Sequence, residues 1–515
     1  MSFRISSSTF TGHVRSFNTS IPVSQPPPPQ PVPPQEVEIP KHWVSDWMEL
    51  LLKKIALNNF GPTITTRCLL IASNAIYNSY QFVTQNKNPI DKQYWTSAQK
   101  GELTTSISYL ESWIELSCQY VIPKLMKEYM NLTISPLTNN EVNLLISSHT
   151  PLTNVNNTSL NELKLLLNSY LSARDNDGWK LTMTFDGNLP NGNNTISADN
   201  SIDQNLNILP NPNKWTPLKI NGSTKNYLTP EWGTKNKGLL GELEFKDLLD
   251  KTSDNLFPSD IQFENEMKDV ETITQNLTDE QKILAEFWAG GPGSVTPPGM
   301  WVVFLDIVLR SNAVKLEKEI KSYALLCSSL YQSGICAWRL KRDKLQARPV
   351  QKIRQNEYGN SLTQSWNDKS LGQYWLPYQT LNFVTPPFPD FVSGHSTFSA
   401  SSAKVFCYLL ESDMINLANP VSNLDILNYM SPILSNNTVN FSLNNFFVLP
   451  KTSTIQPGIV PTTSVNLNWV CWTDMARSSG KSRIYGGIHI ESSNQGGLYL
   501  GSMIGDKIWN MLKDI

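Results

Sequence analysis

Along most of the 515-residue chain, apolar side chains return every three or four positions, which is the period of one helix face. The pattern is clear over residues 43–55 and 69–80. It also predicts helical stretches at 102–129, 159–172, 278–289, 299–333, 394–411 and 489–513. Strand-like alternation is rare by comparison. The pattern therefore predicts a mainly α protein in which two packed helical bundles form one body.

Three polar stretches interrupt this pattern and divide the chain. Residues 1–38 end in a run of prolines and are predicted to be a disordered or polyproline II tail. The tail could recruit an SH3-like partner, although a plain linker is the simpler interpretation. A Gly-, Asn- and Pro-rich stretch at 184–238 separates an N-terminal helical region, 39–240, from a C-terminal one, 241–515. A second polar insertion, 413–468, could carry a short hairpin.

Composition narrows the possible partners. Charged residues make up 17% of the chain and the net charge is −2, so the overall charge attracts neither nucleic acid nor an anionic membrane. Six scattered cysteines without a CxxC pair argue against a zinc cluster or a disulfide framework. The N-terminus lacks the apolar segment of a secretory signal, and no apolar run reaches the ~20 residues of a membrane span. The sequence thus indicates a soluble protein whose compartment stays open.

Three short segments in the second half combine the residue types of an oxyanion site. They are Lys341–Pro349, Ser393–His395 and Ser482–His489. Together they supply three fixed cations, a hydroxyl, a glycine amide and two of the five histidines of the chain. A tetrahedral anion such as phosphate or vanadate requires this set of donors.

Each of the first two segments also has a plainer interpretation. Lys341 and Arg348 are seven residues apart, which predicts one face of a helix that Pro349 ends. A solvated basic face would have the same spacing. Ser393 and Gly394 are expected at a helix N-terminus, where free amides and the helix dipole favour an anion. Serine is, however, also an ordinary N-cap.

The third segment depends on a helix break. Gly486 and Gly487 are expected to end a helix between Arg483 and His489, so that both side chains converge and His489 opens the final helix. A helix cap with an incidental histidine is the alternative. Only the conjunction of all three segments raises the oxyanion interpretation above the plainer ones.

In this order, cation-x6-cation-Pro, Ser-Gly-His and Ser-Arg-x5-His resemble the signature of the vanadium-dependent haloperoxidases. The type 2 phosphatidic acid phosphatase superfamily shares that site. Further segments are similar to the haloperoxidase-like enzymes: Pro62 to Tyr80, Asn213–Leu218, Leu228–Pro230 and Leu277 to Pro298. The resemblance covers about residues 40–515. It implies vanadate as the cofactor, with the oxyanion site in the C-terminal bundle, so that 241–515 would be the catalytic domain.

The resemblance also implies a role for each residue. Vanadate oxygens would be held by Lys341, Arg348, Ser393, Gly394 and Arg483. His489 would bind vanadium axially, and His395 would be the acid–base residue. Trp338 and Phe388 would line the halide pocket, although each is equally well explained as a core aromatic.

These roles predict an oxidoreductase that oxidises a halide with hydrogen peroxide to a hypohalous species, which reacts with a small organic acceptor. An acid phosphatase with a phosphohistidine intermediate is one alternative, because the same cations stabilise a phosphoryl transition state. A catalytically weak structural or binding protein that retains the pocket is another. Nucleic acid and membranes are not expected as partners, and a homodimer stays open.

Two positions depart from the pattern of the family. Ser493 stands where phosphatase-type members carry Asp, four residues after the last histidine. Without that carboxylate His489 would lack its usual orienting partner, which counts against the phosphatase. Gly290 stands where related enzymes often have an acidic residue. If that residue pairs with Arg483 in them, activity here would be reduced.

Overall fold

In this computed structural model, the described residues are 42–84, 89–90, 94, 107–130, 132–149, 157–192, 194–197, 209–236, 238–356, 375–419, 421, 425–434 and 445–514. The predicted tail, residues 1–38, lies outside them. One compact unit extends over Pro40–Ile515. The predicted division between residues 240 and 241 stays a prediction.

The described part is mainly helical, as the periodicity predicts. Its α-helices are α1 Trp43–Leu57, α2 Pro62–Val83, α3 Ile107–Lys124, α4 Asn139–Ser148, α5 Asn157–Asp175, α6 Trp232–Lys235, α7 Glu242–Leu256, α8 Asp260–Gln275, α9 Asp279–Phe287, α10 Thr296–Ser311, α11 Leu316–Lys344, α12 Pro349–Asn356, α13 Gly394–Leu410, α14 Leu427–Met430, α15 Trp472–Tyr485 and α16 Glu491–Leu512. A π-helical turn, Leu125–Tyr129, follows α3, and 3-10 turns cover Trp179–Thr182 and Leu381–Phe383. None of the helices in these ranges is both long and apolar enough to cross a membrane.

The strands are short and lie in the two polar stretches. They are β1 Ile196–Ser197, β2 Leu218–Ile220, β3 Ser223–Lys225, β4 Asn445–Val448 and β5 Val465–Asn468. β2 pairs with β1 in parallel and with β3 antiparallel. β4 and β5 pair antiparallel, with Asn445 opposite Asn468, so the hairpin expected in the insertion 413–468 is present.

Several helices begin where the local sequence supplies a start signal. Pro62 is the first residue of α2, where its preset φ suits a helix and its missing N–H costs no hydrogen bond. Thr278 and Gln281 form a capping box at the start of α9, in which each side chain bonds the other residue's main-chain N–H. These starts follow from neighbouring residues alone, which is why the sequence predicts them well.

The predicted helix 299–333 was wrong as a single element, because α10 and α11 divide it. α10 ends at Ser311, and the N–H of the C-cap residue Asn312 donates to main-chain oxygens of the last turn. Ala313 then takes a left-handed conformation, with φ at +47°. One such residue turns the chain without interrupting the apolar periodicity on either side. The period therefore could not reveal the break.

The prediction that Lys341 and Arg348 share one helix was also wrong. α11 ends at Lys344, and Leu345 is left-handed, with its N–H donating to the oxygen of Lys341. Pro349 is then the first residue of α12 and does not end a helix. Lys341 thus lies in the last turn of α11, and Arg348 lies in the connection between two helices.

Helix α13 occupies the centre of the C-terminal bundle, in contact with α10, α11, α15 and α16. Its closest approach is to α16, where glycine allows the two backbones to meet. A Cβ atom on Gly497 would lie 2.6 Å from the oxygen of Ser393. This packing places the N-terminal end of α13 against the first turns of α16.

Candidate active site

Side chains from all three segments converge at the N-terminal end of α13. Ser393 is the N-cap, and Gly394 and His395 are the first two helical residues. Three prolines and an aspartate precede them in the loop 386–392. The expected placement of this segment at a helix N-terminus is therefore confirmed.

The loop before α13 holds the first two cations through its main-chain oxygens. Lys341 Nζ donates to the oxygens of Pro389 and Asp390, at 2.7 and 2.8 Å. Arg348 Nε donates to the oxygen of Phe388 at 2.8 Å. The Nη1 group of Arg348 reaches the third segment, 3.0 Å from Nε2 of His489. The two cations that helical spacing failed to align are thus brought together by long-range contacts.

Arg483 approaches from α15, which ends at Tyr485 just before the glycine pair. Its Nε donates to the Ser482 hydroxyl at 2.9 Å, and its Nη2 donates to the oxygen of Ala285. Gly487 is left-handed, with φ at +68°, and returns the chain toward the site. His489 therefore lies in the turn before α16, which begins two residues later, at Glu491. The prediction that His489 opens that helix was wrong.

Both arginines are buried and only partly satisfied. Arg348 is 1% and Arg483 0% exposed. Nη2 of Arg348 and Nη1 of Arg483 have no hydrogen-bond partner among the described residues. Leaving a charged donor buried without an acceptor costs more than the ~1–3 kcal/mol of a neutral group. An acceptor of negative charge at this point would remove that cost.

The pKa values reflect this concentration of positive charge. Burial lowers the pKa of Arg348 to about 10 and that of Arg483 to about 9. Burial and the nearby Arg348 lower the pKa of Lys341 well below its usual range, although Asp390 opposes the shift. Each cation would be stabilised by an added anion, since an opposite charge favours the protonated form.

His489 contacts a carboxylate on one side and a guanidinium on the other. Its Nδ1 is hydrogen-bonded to Oδ1 of Asp390, opposite the contact of Nε2 with Arg348. Burial and the surrounding cations Arg348, Lys341 and Arg483 lower the pKa of His489 well below its usual range. The ring is therefore neutral at pH 7, with the proton on Nδ1 and the lone pair on Nε2.

Asp390 was missed in the sequence. Burial raises the pKa of this carboxyl to about 6, against the opposing effects of Arg348 and Lys341 and the smaller ones of Ser493 and Ile490. One signal was available, because Asp390 is the only acidic residue between Asp368 and Glu411. Its distance of 99 residues from His489 hid the contact.

His395 has a different environment. Its Nε2 lies 2.8 Å from the oxygen of Trp288, to which it donates, and this leaves Nδ1 as the proton-accepting nitrogen. Burial and the charges of Arg483 and its neighbours lower the pKa of His395 well below its usual range. The two site histidines are thus both neutral at pH 7, but they carry the proton on different ring nitrogens.

A pocket with largely apolar walls opens over these groups. It encloses about 860 Å³, counted to its open mouth, and both His395 and His489 lie in its lining. Trp338 and Phe388 are in the wall as well, with ring centroids 4.9 Å apart. Trp338 is held by a hydrogen bond of 3.0 Å from Nε1 to the oxygen of Leu228. The two aromatics predicted for the halide pocket therefore line this pocket, and both are also buried members of the hydrophobic core.

Comparison with known proteins agrees with this arrangement. Residues 321–515, which include all three segments, match the family model of the VCPO second helical-bundle domain. No match is found among curated proteins.

Solved structures extend the likeness to most of the chain. An apo-type bacterial vanadium-dependent chloroperoxidase is 15% identical, with a TM-score of 0.61 over 89% of this chain and 95% of its own. The holo-type structure is 16% identical, with a TM-score of 0.61 over 89% and 94%. A bacterial vanadium-dependent iodoperoxidase is 17% identical, with a TM-score of 0.60 over 92% and 97%. At these identities the likeness establishes the vanadium haloperoxidase fold.

The structure explains the departure at position 290 and shows where residue 493 lies. Gly290 is left-handed, with φ at +56°, and a Cβ atom there would lie 3.0 Å from the Pro297 ring. An acidic side chain at 290 would therefore be strained. Arg483 uses the main-chain oxygen of Ala285 instead. Ser493 is buried, and its main-chain oxygen accepts the N–H of Ser393 at 2.9 Å.

Proposed function

We propose that the chain is a vanadate-dependent haloperoxidase, which oxidises a halide with hydrogen peroxide to a hypohalous species. The observation that carries this proposal is a pair of buried guanidinium N–H groups, one on Arg348 and one on Arg483, beside the neutral His489. Neither group has a hydrogen-bond partner in the described part of the chain. A protein interior tolerates such groups where a ligand supplies the missing acceptors. The apolar pocket over the same point supports a halide and an organic acceptor as substrates.

The donor set fits vanadate in charge and in chemistry. Lys341, Arg348 and Arg483 would offset the charge of the oxyanion, and arginine presents paired donors to two oxygens. The Ser393 hydroxyl and the Gly394 amide, at the start of α13, would bind further oxygens. The lone pair on Nε2 of His489 would coordinate the vanadium. When bound, vanadate supplies a Lewis-acidic centre that activates hydrogen peroxide toward attack by a halide.

His395 would handle the proton that the reaction consumes. Conversion of one halide ion and one hydrogen peroxide to hypohalous acid and water takes up one proton. Negative charge in the site raises the pKa of a neighbouring imidazole, so an anion held there would favour protonation of His395 at Nδ1. From that nitrogen, the proton can pass to a leaving oxygen while Nε2 keeps its bond to Trp288.

Trp338 and Phe388 would act on the halide. Their rings cover one wall of the pocket, and the Lys341 ammonium lies 5.0 Å from the Phe388 ring centroid. An apolar wall keeps water from the anion, and a desolvated halide is a stronger nucleophile. The nearby ammonium favours entry of a negative ion.

An acid phosphatase is the second candidate, and the contact between Asp390 and His489 favours it. The sequence counted against this activity because Ser493 leaves no carboxylate for the nucleophilic histidine. Asp390 supplies one from another element. The cations that would hold vanadate would equally stabilise a phosphoryl group during its transfer to Nε2 of His489.

Two assays on one preparation separate these functions. Purified apo-protein is incubated with orthovanadate and dialysed, and retained vanadium is measured by elemental analysis. Bromide oxidation by hydrogen peroxide and hydrolysis of p-nitrophenyl phosphate are then followed with and without vanadate. We expect retained vanadium, vanadate-dependent bromide oxidation and slow hydrolysis that vanadate inhibits. Brisk hydrolysis without bromide oxidation would make the phosphatase the function, and retention without either activity would indicate a binding protein.

A further inference from the structure

We propose that Asp390 is the positioning residue for His489. From the loop before α13, it replaces the carboxylate that phosphatase-type members of the superfamily carry at the position of Ser493. The proposal rests on the function proposed above and concerns how its histidine is oriented. Asp390 touches the ring at Nδ1, the nitrogen opposite the one that faces the oxyanion position. It therefore acts through His489 and not on the reacting atoms.

The main chain holds Asp390 in place from both sides. Its N–H donates to the oxygen of Gln346 at 3.0 Å, and its own oxygen accepts the Lys341 ammonium at 2.8 Å. The side chain is fully buried, at 0% exposure. A carboxylate pinned by its backbone and closed off from water has few positions to adopt, so the ring that it contacts is fixed as well.

Position 493 lies close to the carboxyl group of Asp390. Ser493 lies in the first turn of α16, four residues after His489, and it is fully buried. Its hydroxyl contributes to the environment of the Asp390 carboxyl, as the main-chain N–H of Ile490 does. The Ser493 hydroxyl and the Asp390 carboxyl thus share one space close to Nδ1 of His489.

This shared space makes the two positions interdependent. A carboxylate at 493 together with Asp390 would place two negative groups side by side, and only one of them could readily ionise. A carboxylate at neither position would leave the Nδ1–H of His489 without its partner. The proton would then redistribute between the two ring nitrogens, and the lone pair at Nε2 would be lost in part of the molecules.

The physical consequence is a defined tautomer. A carboxylate that accepts the Nδ1–H keeps the Nε2 lone pair available and makes it more basic. Loss of such a partner typically weakens binding at the other nitrogen ~10–100-fold. Serine at position 390 or 493 could accept the same hydrogen bond but would add no negative charge.

The test exchanges the two positions. Variants Asp390→Ala, Asp390→Asn, Ser493→Asp and the double variant Asp390→Ala/Ser493→Asp are compared with wild type. Glu491→Gln is the matched control, because Glu491 lies in the same turn of α16 but pairs with Lys481. ¹⁵N chemical shifts report the His489 tautomer in apo-protein, and calorimetry gives Kd for orthovanadate and for inorganic phosphate.

We expect Asp390→Ala to shift the His489 tautomer and to weaken orthovanadate binding ~10–100-fold. Asp390→Asn, whose amide oxygen can still accept the Nδ1–H but carries no negative charge, should keep more of the tautomer and bind orthovanadate less tightly than wild type. Ser493→Asp alone should also weaken it, whereas the double variant should regain the wild-type tautomer and most of the affinity. Glu491→Gln should match wild type. An unchanged tautomer in a folded Asp390→Ala variant, or a double variant no better than Asp390→Ala, would overturn the proposal. The apo-protein spectra keep this outcome separate from the proposed function, which fails if wild type binds no vanadate.

Discussion

Two regions of this molecule bury clusters of ionisable side chains, and they differ in how the charges are balanced. One of them joins α10 to the N-terminal helices, and in it His149 lies between Glu115 and Asp46, with nitrogen–oxygen distances of 2.8 and 3.2 Å. Arg310 in turn pairs with Asp46 at 2.7 Å and with Asp306 at 2.8 Å. We call these five residues the paired cluster. In it, each cation contacts two carboxylates.

The oxyanion site in the C-terminal half has the opposite balance. The side chains of Lys341, Arg348 and Arg483 donate to main-chain oxygens and to neutral groups. Within the ranges that the structure describes, each arginine keeps one nitrogen without a hydrogen-bond partner. The histidines report the same difference. Burial lowers the pKa of His149, but Asp46 and Glu115 more than offset this and raise it to about 9. Burial among cations lowers the pKa of His395 and of His489.

The comparison shows how a ligand-binding site differs from a structural network of ion pairs. Burial of charge alone does not indicate a ligand site, since the paired cluster balances its charges internally and has the character of a structural network. An excess of one sign, with donors left over, is costly to the unliganded protein and useful only when a ligand arrives. Four predictions test this comparison.

The largest effect should come from the site histidines. His489→Ala should abolish vanadate retention, because it removes the proposed ligand nitrogen. His395→Ala should retain vanadate but lose ~10²–10⁴-fold in turnover, the usual contribution of an acid–base residue. Elemental analysis and bromide oxidation give the two readouts. His149→Gln, from the paired cluster, should change neither in the folded protein. Equal loss of vanadate in both site variants would contradict the division of roles.

Replacing one arginine in each region should change stability in opposite ways. Arg310→Met should lower the free energy of unfolding by about 3 kcal/mol, because it leaves Asp306 without its cation and Asp46 with His149 alone. Arg483→Met should leave the apo-protein unchanged or more stable, because it removes a buried charge that lacks a counter-ion. Urea unfolding of apo-protein measures both. A large destabilisation by Arg483→Met would show that the charge of Arg483 is already compensated in the unliganded protein.

The pH dependence of stability should identify His149. Its folded pKa of about 9 lies above the ordinary histidine value of 6.5, so its stabilising contribution is complete below about pH 6.5. The contribution disappears as pH rises through about 9, and it amounts to at most about 3 kcal/mol. The difference in unfolding free energy between wild type and His149→Gln should therefore be largest at pH 6 and small at pH 9.5. A difference in unfolding free energy that does not change with pH would mean that Glu115 and Asp46 do not raise the pKa of His149.

The smallest effect concerns protons taken up by the oxyanion site. His395 and His489 have lowered pKa values in the unliganded protein, and a bound anion should raise them. Phosphate binding at pH 7 should therefore be accompanied by net proton uptake. Calorimetry in buffers of different ionisation enthalpy measures the number of protons. Proton release on binding would mean that these groups are already charged.

Features that depend on residues close together in the chain were predictable from the amino-acid sequence. Helical periodicity predicted a mainly α fold, and the residues around Ser393 and the Gly486-Gly487 pair predicted a helix start and a helix end. The three segments also indicated an oxyanion site. These features follow from backbone preferences and from side chains a few residues apart, which a sequence displays directly.

The contacts between distant segments became visible only in the folded chain. A left-handed Ala313 divides a predicted helix, and a left-handed Leu345 puts Lys341 and Arg348 on different elements. Asp390 meets His489 across 99 residues, although the sequence pointed to position 493 for that carboxylate. A single backbone turn leaves the apolar period unchanged, and a contact between distant segments depends on the packing of whole helices. Neither leaves a local pattern, and for that physical reason the balance of charge in the site became visible only in the folded chain.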